Sequence, residues 1–209
     1  METKKKITGP ETRILETVVE NRAADGRRID GIAAKVGVLS RTLYGWFKEM
    51  IDPGAFDGAD MNDVVCLKNH DQNLILARTL NNSLELAVNA EGHLAYGFEA
   101  PSTTTGNDTL EEVKSKLIQH SSFSFEVEED RWEEDSEGNE IRHIVKFRKI
   151  HDVSPVVNPA YLQTEAVAAR NIEIAKEYRE RSKPPKVETE EGYENDLALE
   201  QIRLERNRF

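Results

Sequence analysis

Two strictly alternating segments, set on either side of an acidic run, constrain this chain more than any other feature. In Ser122-Phe123-Ser124-Phe125-Glu126-Val127-Glu128, Phe123, Phe125 and Val127 share one face, and Ser122, Ser124 and Glu126 share the other. Ile141 to Phe147 alternates again, with Gly138-Asn139 as a turn signal before it. A period of two commits both segments to strands, and their proximity predicts a long antiparallel hairpin with an aromatic face toward a core. A turn near residues 137–138 sets Ser122 opposite Val153, and a slip of one residue sets it opposite Asp152.

The acid between them is part of an uneven charge distribution. The net charge is −11, yet residues 126–140 hold nine acids and one base, and residues 187–200 hold six acids and no base. These two segments carry −14, which leaves +3 on the rest. Blocks of like charge repel and stay solvated, so a hairpin loop and a tail are expected. The negative total argues against a general polyanion binder, and no specific nucleic acid is expected as a partner. A single cysteine, Cys66, excludes an intramolecular disulfide and a Cys-rich zinc site. No two histidines show metal-ligand spacing, so no metal or other cofactor is expected. No apolar run approaches the ~18 residues of a membrane helix. The basic start, Met1 to Lys6, is not followed by an apolar signal core, which reads as a soluble intracellular chain.

Further strands are expected within 14–19, 29–39, 64–67, 74–76, 84–88 and 94–98. Asp25-Gly26, Asp52-Pro53-Gly54, Asn81-Asn82 and Glu91-Gly92 punctuate them. This rhythm predicts a barrel or sandwich-like core. Asn107-Asp108-Thr109 is expected to cap a helix from about Leu110 to Gln119, with Val113, Leu117 and Ile118 inward. A second helix is expected over Thr164–Arg181, stopped by Pro184-Pro185. The expected organisation is a leader at 1–10, a domain at 11–162, a helix at 163–183 and an acidic tail at 184–209.

Residues 31–48 offer a different reading. Gly37 could turn between two helices, Ser40 could cap the second, and Thr42, Leu43 and Trp46 could lie on it, with Arg41 and Lys48 toward phosphate. This would be a helix-turn-helix regulator of DNA. Against it, Gly45 would weaken the second helix by about 1 kcal/mol, and no basic helix or dimerisation heptad accompanies it.

A nucleophilic serine needs a base within hydrogen-bond reach and a third group to orient that base. His70, His93, His120, His143 and His151 are the histidines on offer, and residue types alone do not choose among them. Blocks in sequence order do. They are Gly31-Ile32-Ala33-Ala34-Lys35-Val36, Met50-Ile51-Asp52-Pro53-Gly54-Ala55-Phe56-Asp57, Val64-Val65-Cys66-Leu67-Lys68-Asn69-His70-Asp71 with Leu76 to Thr79, Ser121 to Phe125, and His151-Asp152-Val153-Ser154-Pro155 through Tyr161. In this order, over about residues 14–162, the chain resembles the tailed-phage prohead (capsid maturation) serine proteases, a family related to herpesvirus assemblin. Departures from the family pattern are Ser121, Ser124, Ala77 and the run Lys114 to Leu117.

The resemblance implies an α+β fold: a small, mostly antiparallel β-barrel with surrounding helices, herpesvirus-protease-like. It makes residues 31–48 a strand and loop. It implies a serine endopeptidase with His70 as general base, Ser122 as nucleophile and Asp152 as the orienter of His70. The herpesvirus relatives use a second histidine, so His93, His143 and His151 stay open for the third place. The implied substrates are the major capsid protein's scaffolding segment or a separate scaffold protein, and the enzyme's own tail. The implied setting is the procapsid in the host cytoplasm, with a homodimer and no membrane partner.

Overall fold

The computed structural model describes residues 10–15, 19–20, 26–43 and 45–157. The expected helix at 164–181, the acidic tail, the leader up to residue 9 and the last residues of the expected domain, 158–162, lie outside these residues. Among the described residues there are ten strands and one α-helix: β1 Glu11–Leu15, β2 Val19–Glu20, β3 Arg28–Ala34, β4 Phe47–Ile51, β5 Val65–Leu67, β6 Ile75–Arg78, β7 Leu84–Val88, β8 Leu94–Glu99, α1 Thr104–Lys114, β9 His120–Glu134 and β10 Glu140–Val156. The class is α+β, mostly strand. The strands form two sheets, ordered β1-β9-β10-β5-β6 and β2-β3-β8-β7, and β4 adds to β10. The sheets are not closed into the expected barrel. Residues 31–48 contain the end of β3, a loop and the start of β4, with no helix among those described, so the helix-turn-helix reading is overturned.

The alternating segments do form the hairpin, and it is longer than the sequence pattern suggests. β9 and β10 pair antiparallel from Glu134↔Glu140 to His120↔Val156. The acidic run is therefore not a loop. Its residues continue β9, and only Asp135 to Asn139 turn, with Asp135 accepting from the backbone N–H of Glu137 and Asn139 at 2.9 and 2.8 Å. The acids tolerate this because β10 sets bases near them. Lys146 reaches Glu128 at 3.3 Å, and Arg142 reaches Asp130 at 2.6 Å. Cross-strand charge of this kind is invisible when charge is counted along the chain.

The other edge of β10 is shared end to end by two parallel strands. β4 pairs with Glu140 to Ile144, and β5 pairs with Asp152 and Val153. β10 is thus the axis of the larger sheet. Its apolar face joins Phe123, Phe125, Phe147 and Ile150, all fully buried, to Phe98 and Ile29 of the smaller sheet. Phe147 meets Phe125 edge-on at 4.9 Å and stacks with Phe56 at 4.7 Å between ring centroids.

α1 starts six residues earlier than expected. Thr103, rather than Asn107 or Asp108, caps it, accepting from the Gly106 N–H at 3.1 Å. Gly106 packs so tightly that a Cβ there would sit 2.1 Å from the Pro101 carbonyl oxygen. After Lys114 the backbone turns left-handed at Lys116, with φ of 59°. That turn swings Leu117 out to solvent, against expectation, while Ile118 is buried.

A closed ionic cluster fastens β1 to the sheet. Arg13 Nε donates to Glu49 at 2.6 Å and its Nη2 to Glu11 at 2.7 Å. Arg142 donates to Glu11 at 2.7 Å, to Glu49 at 3.1 Å and to Asp130 at 2.6 Å. Arg142 is fully buried, and Glu11, Arg13 and Glu49 nearly so. Burial pushes the Glu11 carboxyl up, but Arg142 and Arg13 override it and hold the group below its ordinary value. Burial dominates at Asp130 and raises its carboxyl despite Arg142.

Candidate active site

β10 brings together residues that the sequence keeps 82 positions apart. On one side β9 carries Ser122. On the other, β5 lies beside Asp152 and leads directly into the loop bearing His70. That loop, residues 68–74, is closed by Lys68 N–H to the Leu74 carbonyl at 3.0 Å and braced by Asp71, which accepts from Asn73 N–H at 2.9 Å. Asn69 and His70 are both left-handed, with φ of 55° and 58°. Asn and His are among the side chains that enter this region most readily. The left-handed pair turns the chain back over the end of β10, which lets the imidazole reach both flanking strands.

There His70 Nδ1 lies 2.5 Å from Asp152 Oδ1, and Nε2 lies 2.5 Å from Ser122 Oγ. An ionised carboxylate can only accept, so Nδ1 donates to it and the neutral ring presents the Nε2 lone pair to the serine hydroxyl. Ser122 Oγ also lies 3.0 Å from the Arg13 carbonyl oxygen. One hydroxyl proton therefore faces two acceptors. Ser122 is fully buried, whereas the His70 and Asp152 side chains keep 16% and 15% of their surface exposed, so solvent reaches the site from the histidine side.

The other candidates are engaged elsewhere. His93 Nδ1 accepts from Val36 N–H at 3.2 Å. His143 Nδ1 faces Asp52 at 2.7 Å, and His151 Nε2 faces Glu126 at 3.0 Å. His120 begins β9 opposite Val156. Among the described residues, the partner at His70 Nδ1 is thus a carboxylate rather than a second histidine. Of the serines flanking Ser122, Ser121 is buried against the Tyr96 hydroxyl at 2.8 Å, and Ser124 pairs with Asp152 in the ladder. The Cys66 thiol nearby is fully buried, and burial together with the Asp152 charge pushes it well above its ordinary value, so it stays protonated. No group of three His, Cys, Asp or Glu side chains among the described residues could hold a metal.

The expected register was off by one or two. Shifts between Ile144 and Asp152 move the ladder so that Ser122 faces Ser154 and Ser124 faces Asp152. His70 bridges the resulting diagonal. Sequence reasoning passed over two groups here, the Arg13 carbonyl and Ser154. The second carries a signal, since a residue two positions from Asp152 on a strand shares its face.

A serine, an imidazole and a carboxylate in this order form the relay of a serine hydrolase. A family model described as caudovirus prohead serine protease matches residues 15–178, which include all three groups. The chain belongs to the caudovirus prohead serine proteases. Family membership makes it a serine peptidase with a role in the phage prohead. No curated protein and no solved structure matches it. Among the described residues of this prohead protease, no helix is long and apolar enough to cross a membrane.

Proposed function

We propose that the protein is a maturation endopeptidase that cleaves a scaffold protein, or the scaffolding segment of the major capsid protein, together with its own tail. It acts inside the procapsid in the host cytoplasm, as a homodimer. Ser122 is the nucleophile, His70 the general base and Asp152 the group that orients it. One observation carries the reading: in a chain of this family, the two ring nitrogens of His70 are held by Asp152 and Ser122 at 2.5 Å each.

The chemistry follows from those contacts. Nε2 takes the Ser122 proton as Oγ attacks the scissile carbonyl, and the Nδ1–H bond to Asp152 stabilises the imidazolium that forms. Nε2–H then protonates the leaving amine, and the acyl-enzyme remains. Water enters, His70 removes its proton, and collapse returns Ser122 and releases the new carboxyl end. The Arg13 carbonyl must give up the hydroxyl proton to His70 for the first step, and the buried Ser122 must be uncovered for substrate to reach it.

Co-expression with the cognate capsid protein, followed by intact mass of both chains, tests the proposal. Processing of both with the native chain, and of neither with Ser122→Ala, is expected. Processing that persists with Ser122→Ala overturns it.

A further inference from the structure

Ser154 stands opposite Ser122 in the β9–β10 ladder and is fully buried. Its hydroxyl donates to Asp152 Oδ1 at 3.1 Å and accepts from the His70 backbone N–H at 3.3 Å. The direction of both bonds is fixed, because a carboxylate only accepts and a backbone N–H only donates. The same oxygen lies 3.3 Å from His70 Nδ1. One side chain thus touches both partners of the imidazole–carboxylate bond, from near the end of the strand that carries one of them.

The following residues extend the grip. Asn69 N–H donates to the Pro155 carbonyl at 3.1 Å, and Val157 N–H donates to Asn69 Oδ1 at 3.2 Å. Ser154 and Pro155 at the end of β10, with Val157 just beyond it, therefore hold Asn69 and His70, the two left-handed residues of the loop. A left-handed non-glycine backbone persists only where its surroundings dictate it.

We propose that Ser154 is a positioning residue for the hydrolytic site, setting the Asp152 carboxylate and the His70 loop in register with each other. This rests on the role given above to Ser122, His70 and Asp152. Without the Ser154 hydroxyl, Asp152 Oδ1 loses a donor and the His70 N–H loses its acceptor. The carboxylate is then free to rotate away from Nδ1, and a displacement of about 1 Å in such a relay costs on the order of a hundredfold in rate.

The test measures fluorophosphonate labelling of the full chain, with mass mapping of the labelled residue, for wild type, Ser154→Ala and Ser154→Thr. The far-downfield proton resonance of the His70 Nδ1–H to Asp152 bond is recorded for each, alongside thermal melts. Ser154→Ala should label roughly 10- to 100-fold more slowly, with its downfield resonance shifted or broadened, and Ser154→Thr should recover both. Labelling of Ser154→Ala at the wild-type rate with the resonance unmoved overturns the inference. So does slow labelling of Ser154→Ala with an unmoved resonance, which assigns Ser154 a packing role. The resonance is read on Ser154→Ala itself, so a poorly packed threonine variant does not blunt the test. A folded wild-type chain that is not labelled at Ser122 overturns the hydrolase reading and this inference with it.

Discussion

The polar cluster around Arg142 and the one around His70 lie on the same sheet and share Arg13, yet they are built in opposite ways. The first takes the Arg13 side chain and is charge-dense: two guanidiniums and three carboxylates, interlocked and buried. The second takes only the Arg13 backbone carbonyl, which lies 3.0 Å from Ser122 Oγ. It holds one carboxylate, one imidazole and two hydroxyls, of which that of Ser122 has more acceptors than protons. The first is closed on itself, since its charges are bonded to one another. The second keeps a proton on Ser122 that faces His70, which sits on a loop whose backbone is held left-handed. The proposed mechanism assigns reactivity to the open cluster and leaves the closed one a structural part, and β1 is the strand that links them.

The comparison breaks most dramatically at Asp152. Asp152→Asn keeps the shape but presents the wrong face to Nδ1, and turnover of a peptide substrate should fall by about 10⁴-fold while the melting temperature changes little. A fall of similar size in melting temperature and activity together would place Asp152 with the structural cluster instead.

Arg142→Met does the reverse. It leaves Glu11 and Glu49 to Arg13 and takes from Asp130 its guanidinium at 2.6 Å, and breaking a buried cluster in this way costs about 3–5 kcal/mol. Urea unfolding should show that loss. Equal stability of the variant would mean that the cluster contributes nothing net.

Acid should separate the clusters more gently. The Glu11 carboxyl is held below its ordinary value of 4.5, so its contribution is complete above that pH and is lost as pH falls through the lower folded value. Asp130, raised by burial, has the opposite slope. Melting curves of wild type and Glu11→Gln should therefore differ most near neutrality and converge below pH 4.5. A gap that widens in acid would contradict the assigned direction.

The smallest effect is expected at Tyr96→Phe, which removes the partner of the Ser121 hydroxyl next door to Ser122. It should cost about 1 kcal/mol in urea unfolding and leave Ser122 labelling unchanged. Slowed labelling would extend the open cluster to Tyr96.

The hairpin, most of the short strands and the trio of His70, Ser122 and Asp152 were legible in the sequence. Period-two alternation is local, and the family-like blocks preserve the order of the site residues. The extent of β9 was not legible, because the bases that offset Glu128 and Asp130 come from β10. The register was missed because bulges add residues to one strand without a marker in composition. The start of α1 was missed because its first turn is polar, and its cap depends on the fit of Gly106 under Pro101. The Arg13 carbonyl could not be read at all, since a backbone atom carries no residue-type signal.

The most direct measurement is active-site mapping of the native chain with a fluorophosphonate, followed by peptide mass analysis. A single adduct on Ser122, absent in Ser122→Ala and nearly absent in a His70→Ala variant, is the predicted result. An adduct on Ser121, Ser124 or Ser154, or labelling that survives Ser122→Ala, would contradict the assignment of Ser122 as the nucleophile.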